Sequence, residues 1–129
     1  MRLFFTTWKC SSENAVDGRG EEDDVTVITV FRSRLRPGVD AAYGEVAAQM
    51  SRLVREVPGF VDEKFFLSAD GERVTLVRFR DAEAQHAWAQ HPDHLVAQRR
   101  GRAEFYEYYD ISVSEETYAR VFHATGVGT

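Results

Sequence analysis

The chain has 129 residues, 43% apolar and 29% charged, the size and balance of one globular domain rather than of a disordered chain. No apolar run reaches the ~18–20 residues that span a bilayer, and the single cysteine, Cys10, excludes an intrachain disulfide and an all-cysteine metal site. A net charge of −5 is a poor match for nucleic acid or an anionic membrane, so neither is expected as a partner, and a reducing cytoplasm is the expected compartment.

Residues 1–24 differ from the rest. Met1–Cys10 carries an apolar patch at Leu3, Phe4, Phe5 and Trp8, too short and without the cleavage site of a signal peptide. Ser11–Asp24 is polar and ends in four acids, as a linker would. The expectation is an N-terminal extension with an acidic linker, which is either mobile or partly docked on a partner subunit through Phe4, Phe5 and Trp8.

From Val25 the pattern sharpens. Val25–Phe31 is β-branched and aromatic with no breaker, a strand whose two faces are both largely apolar and therefore both covered. Arg36-Pro37-Gly38 is a turn. Val39, Tyr43, Val46, Met50, Leu53 and Val57 recur at spacings of three and four, which predicts an amphipathic helix over Val39–Val57, stopped by Pro58-Gly59. Phe60–Leu67 reads as a second strand, Asp70-Gly71 as a hairpin turn, and Arg73–Arg80 as a third strand. Asp81 caps a helix that breaks at His91-Pro92, restarts, and ends near Gly101. Tyr106–Val113 is a fourth strand, and residues 114–129 form a tail, a short helix or exchanged segment that frays at its end.

The order is βαββαβ, which predicts an α+β, ferredoxin-like fold: a four-stranded antiparallel sheet with helices on one face, in one domain over residues 25–113. The uncovered face, if apolar, is most simply hidden by a second copy of the same sheet.

Glu56-Val57-Pro58-Gly59-Phe60, the Asp70-Gly71 hairpin, Phe79-Arg80-Asp81-Ala82-Glu83-Ala84 and the histidine-bearing break before the last helix resemble, in this order, the antibiotic biosynthesis monooxygenase superfamily. The resemblance spans about Val25 to Val113. It implies a homodimeric α+β barrel with a small-molecule pocket between sheet and helices in each protomer. The implied chemistry ranges from cofactor-independent oxygenation of phenols to haem degradation, and related barrels isomerise or cyclise. Trp88 matches the tryptophan of the haem-degrading branch, but Phe31 and Gln98 stand where that branch has an asparagine and a histidine ligand. Phe66, Thr75 and Phe79 stand where the quinone-forming branch has a histidine, an asparagine and a tryptophan.

Three histidines, His86, His91 and His94, crowd the helix break. His94 matches the Ser-Pro-His histidine of relatives after a one-residue insertion, and its ordinary pKa near 6.5 suits proton transfer. The His91, Asp93, His94 and Glu83 spacing matches no strong metal motif, so no metal is expected, and the resemblance to cofactor-independent oxygenases implies no cofactor. These readings combine into a monooxygenase without cofactor, acting with dioxygen on an electron-rich aromatic or polyketide-like molecule. His94 is its proton shuttle and Tyr108 a hydrogen-bond donor to a substrate oxygen. Trp88, Phe66, Phe79, Tyr43 and His91 line the pocket, and Arg78 holds an anionic oxygen. The alternatives are a non-redox cyclase or isomerase and a non-catalytic ligand-binding dimer.

Overall fold

A computed structural model describes residues 25–125. The expectations for Phe4, Phe5 and Trp8, for the acidic stretch and for the last four residues lie outside the described residues. The chain forms β1 (Val27–Leu35), α1 (Asp40–Val54), β2 (Phe60–Leu67), β3 (Arg73–Phe79), α2 (Ala82–Ala89), α3 (Pro92–Arg100), a π-helical turn (Gly101–Phe105) and β4 (Tyr106–Glu115). All strand pairs are antiparallel, in the order β2-β3-β1-β4, and the fold is the ferredoxin-like α+β sandwich.

Local chemistry sets the corners. Gly38, Gly59 and Gly71 hold positive φ angles of 83°, 96° and 94°, a region other residues enter at a cost. Gly59 has a second reason: a Cβ there would come within 2.6 Å of Ala84 Cβ, so α2 could not approach the start of β2. Asp81 caps α2 by accepting from Ala84 N at 2.8 Å. His91 caps α3 through Nδ1, which accepts from Asp93 N at 3.1 Å, with Pro92 in the first turn. In the hairpin, Asp70 Oδ1 accepts from Ser68 Oγ at 2.7 Å and from Glu72 N at 3.1 Å, while Arg34 Nη2 reaches Oδ2 at 2.8 Å.

Several boundaries differ from the sequence reading, and three of them have a local reason. The strand β1 runs on to Leu35, because Arg32 and Arg34 turn outward to pair with Glu72 and Asp70 and leave Ser33 buried beneath. The helix α1 ends at Val54; Glu56 and Val57 then make i−3 bonds to Leu53 and Val54, a tightened last turn before Pro58. The strand β4 runs to Glu115, and Glu116 N adds a bond to Thr26 O at 2.8 Å. Residues 117–124 form no helix.

The core lies between the helices and one sheet face: Val54, Val77, Phe79, Ala84 and Trp88, flanked by Met50, Leu53, Val57 and Phe60. Directly paired residues share a face. Phe65, Thr75, Phe31 and Ile111 therefore form one row across the whole sheet on the helix side. The rows on the other side are Phe66, Val74, Arg32, Asp110 and Lys64, Leu76, Val30, Ser112.

Candidate functional site

The helices do not fill the space above the sheet. A cavity of about 640 Å³ remains between the central strands and α1, α2 and α3, within the range typical of small-molecule pockets. Its floor is the row Phe65, Thr75, Phe31, Ile111, with Thr29 and Val77 toward one end and Arg73 and Tyr109 toward the other. Its roof comes from Tyr43, Ala47 and Met50 on α1, Trp88 on α2, and His94 and Gln98 on α3.

One end is aromatic and hydroxylated. Tyr106 meets Phe31, Tyr43 and Tyr109 with ring centroids 5.4, 5.7 and 5.6 Å apart, and its hydroxyl donates to the Tyr43 hydroxyl at 3.3 Å. Burial above all, then the neighbouring Tyr43, pushes the Tyr106 phenol well above its ordinary range of ionisation, with Arg73 pulling the other way. Tyr106 is therefore a neutral donor at any physiological pH. Arg73 lies over the rings of Tyr43 and Phe65 at 5.2 and 4.7 Å. Glu63 is the one carboxylate among the described lining residues. It is already engaged, taking the Ser51 hydroxyl on both oxygens at 2.9 and 3.1 Å and Arg55 at 3.4 Å.

Tyr106 reaches the cavity through two features. The π-helical turn delivers the chain into β4 there, and Arg36 clamps that turn by donating to the carbonyls of Arg102, Ala103 and Tyr106 at 3.1, 2.9 and 3.1 Å. Gly101 opens the turn, and a Cβ on it would run into the Tyr106 ring.

Of the residues singled out by sequence, Tyr43, Phe79, Trp88 and His94 line the cavity. The His94 ring stacks on Trp88 at 4.4 Å with 22° between planes. Its Nδ1 lies 3.1 Å from the Gln98 side-chain amide, which also donates to Ala89 O at 3.2 Å. Burial lowers the His94 pKa below its ordinary value, against backbone carbonyls of Trp88 and Ala89 that raise it.

Four others are placed elsewhere. Phe66 is on the outer sheet face, and Phe65 takes the cavity position: a register shift between Phe60 and Asp62 reverses the alternation that counting from Phe60 would give. Tyr108 is also outside, 43% exposed, with its hydroxyl directed to Asp110 at 3.4 Å. A register shift opposite Arg34 and Leu35 puts Tyr106 and Tyr109 on the cavity side in its stead. Arg78 faces outward and is bound by Asp62 at 2.7 and 3.1 Å and by Glu116 at 3.4 Å, which raises its own pKa and lowers that of Asp62. Arg73 is the strand's cavity-facing cation. His91 is spent on capping α3 and does not line the cavity, although its ring lies 5.5 Å from Trp88. Phe65 and Arg73 were legible from the other end of the hairpin. The Asp-Gly turn pairs Leu67 with Arg73, and counting from there places Phe65 opposite Thr75.

Among the described residues no cluster of three or more His, Cys, Asp or Glu is placed to hold a metal ion, and no helix is long and apolar enough to cross a membrane.

The family model described as antibiotic biosynthesis monooxygenase matches residues 25–100. The uncharacterized protein YqjZ of Bacillus subtilis (strain 168) is 31% identical over 93 residues, covering 72% of this chain and 82% of its own. Among solved structures, SnoaB, a cofactor-independent oxygenase from Streptomyces nogalater, superposes with a TM-score of 0.62 at 21% identity, over 76% of this chain and 96% of its own. Rv0793 from Mycobacterium tuberculosis gives 0.63 at 22% identity, over 78% and 99%. At these identities the two structures establish the fold.

Proposed function

The chain belongs to the antibiotic biosynthesis monooxygenase family, and on that premise we propose that its cavity takes a flat, electron-rich aromatic or polyketide-like molecule and directs dioxygen onto it without a bound cofactor, in a homodimer. The observation that carries this reading is the aromatic-walled cavity with the neutral Tyr106–Tyr43 hydroxyl pair at one end. Triplet dioxygen reacts slowly with closed-shell organics, so the substrate must itself give up an electron, most readily as a phenolate or enolate. An apolar chamber that excludes water and fixes donors toward the developing charge favours that step. In the net reaction a phenol and dioxygen give a quinone and water: one oxygen atom becomes the new carbonyl, and the other leaves with the O–H and ring C–H hydrogens.

Within this reading the hydrogen-bond donor is Tyr106, relayed through Tyr43, in place of Tyr108. Trp88 and Phe65 hold the rings, and Phe79, fully buried, packs behind that wall. His94 is a positioning residue. Its Nδ1 lone pair is occupied by the Gln98 amide, and its stacking on Trp88 fixes that wall.

The dimer is supported by the outer sheet face. Phe66 is 47% exposed there beside the partly buried Ile28, Val30, Val74 and Leu76, a patch a second sheet would bury.

Oxygen uptake with a panel of anthrones and naphthols, in metal-chelated buffer, tests the proposal. Uptake of one dioxygen per quinone formed, reduced at least tenfold in Tyr106→Phe, is the expected result. Product made equally under nitrogen would assign a cyclase or isomerase instead. Binding without turnover across the panel would assign a ligand-binding dimer.

A further inference from the structure

Arg32, Arg34, Arg55, Arg78 and Arg100 each pair with a carboxylate. Arg73 does not. It stands at the start of β3 on the cavity face, paired across the sheet with Ser33 and Leu67. Its Nε is buried and has no hydrogen-bond partner, although its guanidinium carbon lies over the Tyr43 and Phe65 rings. Those rings satisfy the faces of the cation. They leave its N–H edge, the part that recognises a planar anion in a two-point fork, without an acceptor. The lining carboxylate cannot supply one: Glu63 is paired with Val77, four residues along β3 from Arg73 and so about 13 Å away along the strand, and is held by Ser51 and Arg55. A guanidinium whose Nε is buried without a partner, over two aromatic rings, is better stabilised by a counter-charge. The chamber is built to have one delivered.

We propose that Arg73 is the anion-recognition residue of the cavity and that the guest is a planar aromatic acid, its carboxylate or ionised hydroxyl on the Arg73 edge and its rings over Phe65, Thr75 and Phe31. This inference rests on the cavity being the ligand site, and it goes further by fixing the charge and shape of the ligand and the residue that selects it. Where the recognised anion is the ionised hydroxyl, the site need not supply a general base, in keeping with the contact that Nδ1 of His94 already makes with the Gln98 amide.

Titration calorimetry with 2-naphthoate and its uncharged isostere 2-naphthamide tests it, at one pH and ionic strength. Wild-type protein should bind the acid about ten- to a hundredfold more tightly than the amide, the worth of a hydrogen bond to a charged group. Arg73→Gln should lose that preference while holding the amide within about threefold, and Arg73→Lys should restore part of it. Arg102→Gln, which removes the exposed arginine at the cavity rim, should retain the preference. Equal affinity of the wild type for the two probes, or a preference that survives Arg73→Gln, overturns the inference and leaves the cavity reading standing. Failure of both probes to bind wild-type protein overturns both. The wild-type comparison decides even if a variant folds poorly.

Discussion

The side-chain amide of Gln98 meets Nδ1 of His94 at 3.1 Å. The same nitrogen donates to Ala89 O at 3.2 Å, which fixes it as the amide's NH2 and makes Nδ1 the acceptor. A protonated imidazole would oppose donor to donor there. Burial lowers the His94 pKa below its ordinary 6.5, against the carbonyls of Trp88 and Ala89, which raise it. The unfolded chain therefore binds the proton more readily than the folded one between the two values. The stability so contributed is fully present above about pH 6.5 and is lost as pH falls through the folded value. Urea unfolding between pH 7.5 and 5 should show stability declining with acidification, and His94→Gln should flatten that slope. An unchanged slope in the variant would assign the acid sensitivity to other groups.

What was legible in the sequence was whatever is set by local chemistry. Pro58-Gly59, Asp70-Gly71, Asp81 and His91-Pro92 mark ends that follow from backbone freedom, capping and the missing proline N–H, and each falls at an observed corner. The face of a strand is set by long-range pairing instead. One inserted residue after Phe60 and another in Glu107 reverse the alternation. Alternation counted from Phe60 or Tyr106 therefore puts Phe66 and Tyr108 on the cavity face, which Phe65 and Tyr109 occupy. Arg78 and Arg73 differ by the same parity and by something no local pattern contains: Asp62 and Glu116 come from β2 and the end of β4 to close around Arg78.

Gly101 has a helical φ of −58°, so alanine there suits the backbone and, on helix propensity alone, should stabilise. The Tyr106 ring occupies the space its methyl would need. Gly101→Ala should therefore destabilise the fold by about 1–3 kcal/mol, the usual range for an overpacked site, and should break the Tyr106–Tyr43 hydroxyl contact. Chemical denaturation reads the first effect, and ultraviolet difference spectra of the tyrosines read the second. A neutral or stabilised variant would mean that the ring moves aside without cost.

The hairpin carboxylate gives an acid-side signature. Asp70 is lowered to about 2, first by the Ser68 hydroxyl, then by Glu72 N and Arg34. A depressed carboxylate stabilises above its unfolded value near 4 and loses that contribution as pH falls toward 2. A carboxyl-carbon NMR titration should place the Asp70 midpoint near 2 in wild-type protein and clearly higher in Ser68→Ala. An ordinary midpoint in the wild type would show that the turn does not hold Asp70 in this geometry in solution.

Phe65 and Phe66 are equally exposed, at 48% and 47%, so accessibility gives no reason to treat them differently. Their pairing does. Phe65 stands opposite Thr75 under the cavity with Arg73 over its ring, whereas Phe66 stands opposite Val74 on the outer face. Phe65→Ala should weaken 2-naphthoate binding by roughly three- to thirtyfold, through lost ring contact and loss of the cation–π support of Arg73, with the mass in solution unchanged. Phe66→Glu puts a charge into the proposed sheet-to-sheet contact. It should halve the mass seen by light scattering at micromolar concentration and leave naphthoate binding within about threefold, because the cavity lies on the other side of the sheet. If Phe66→Glu abolished binding and left the mass intact, the two faces would have to exchange roles. If neither variant changed either quantity, the floor of the cavity and the dimer face would both have been misassigned.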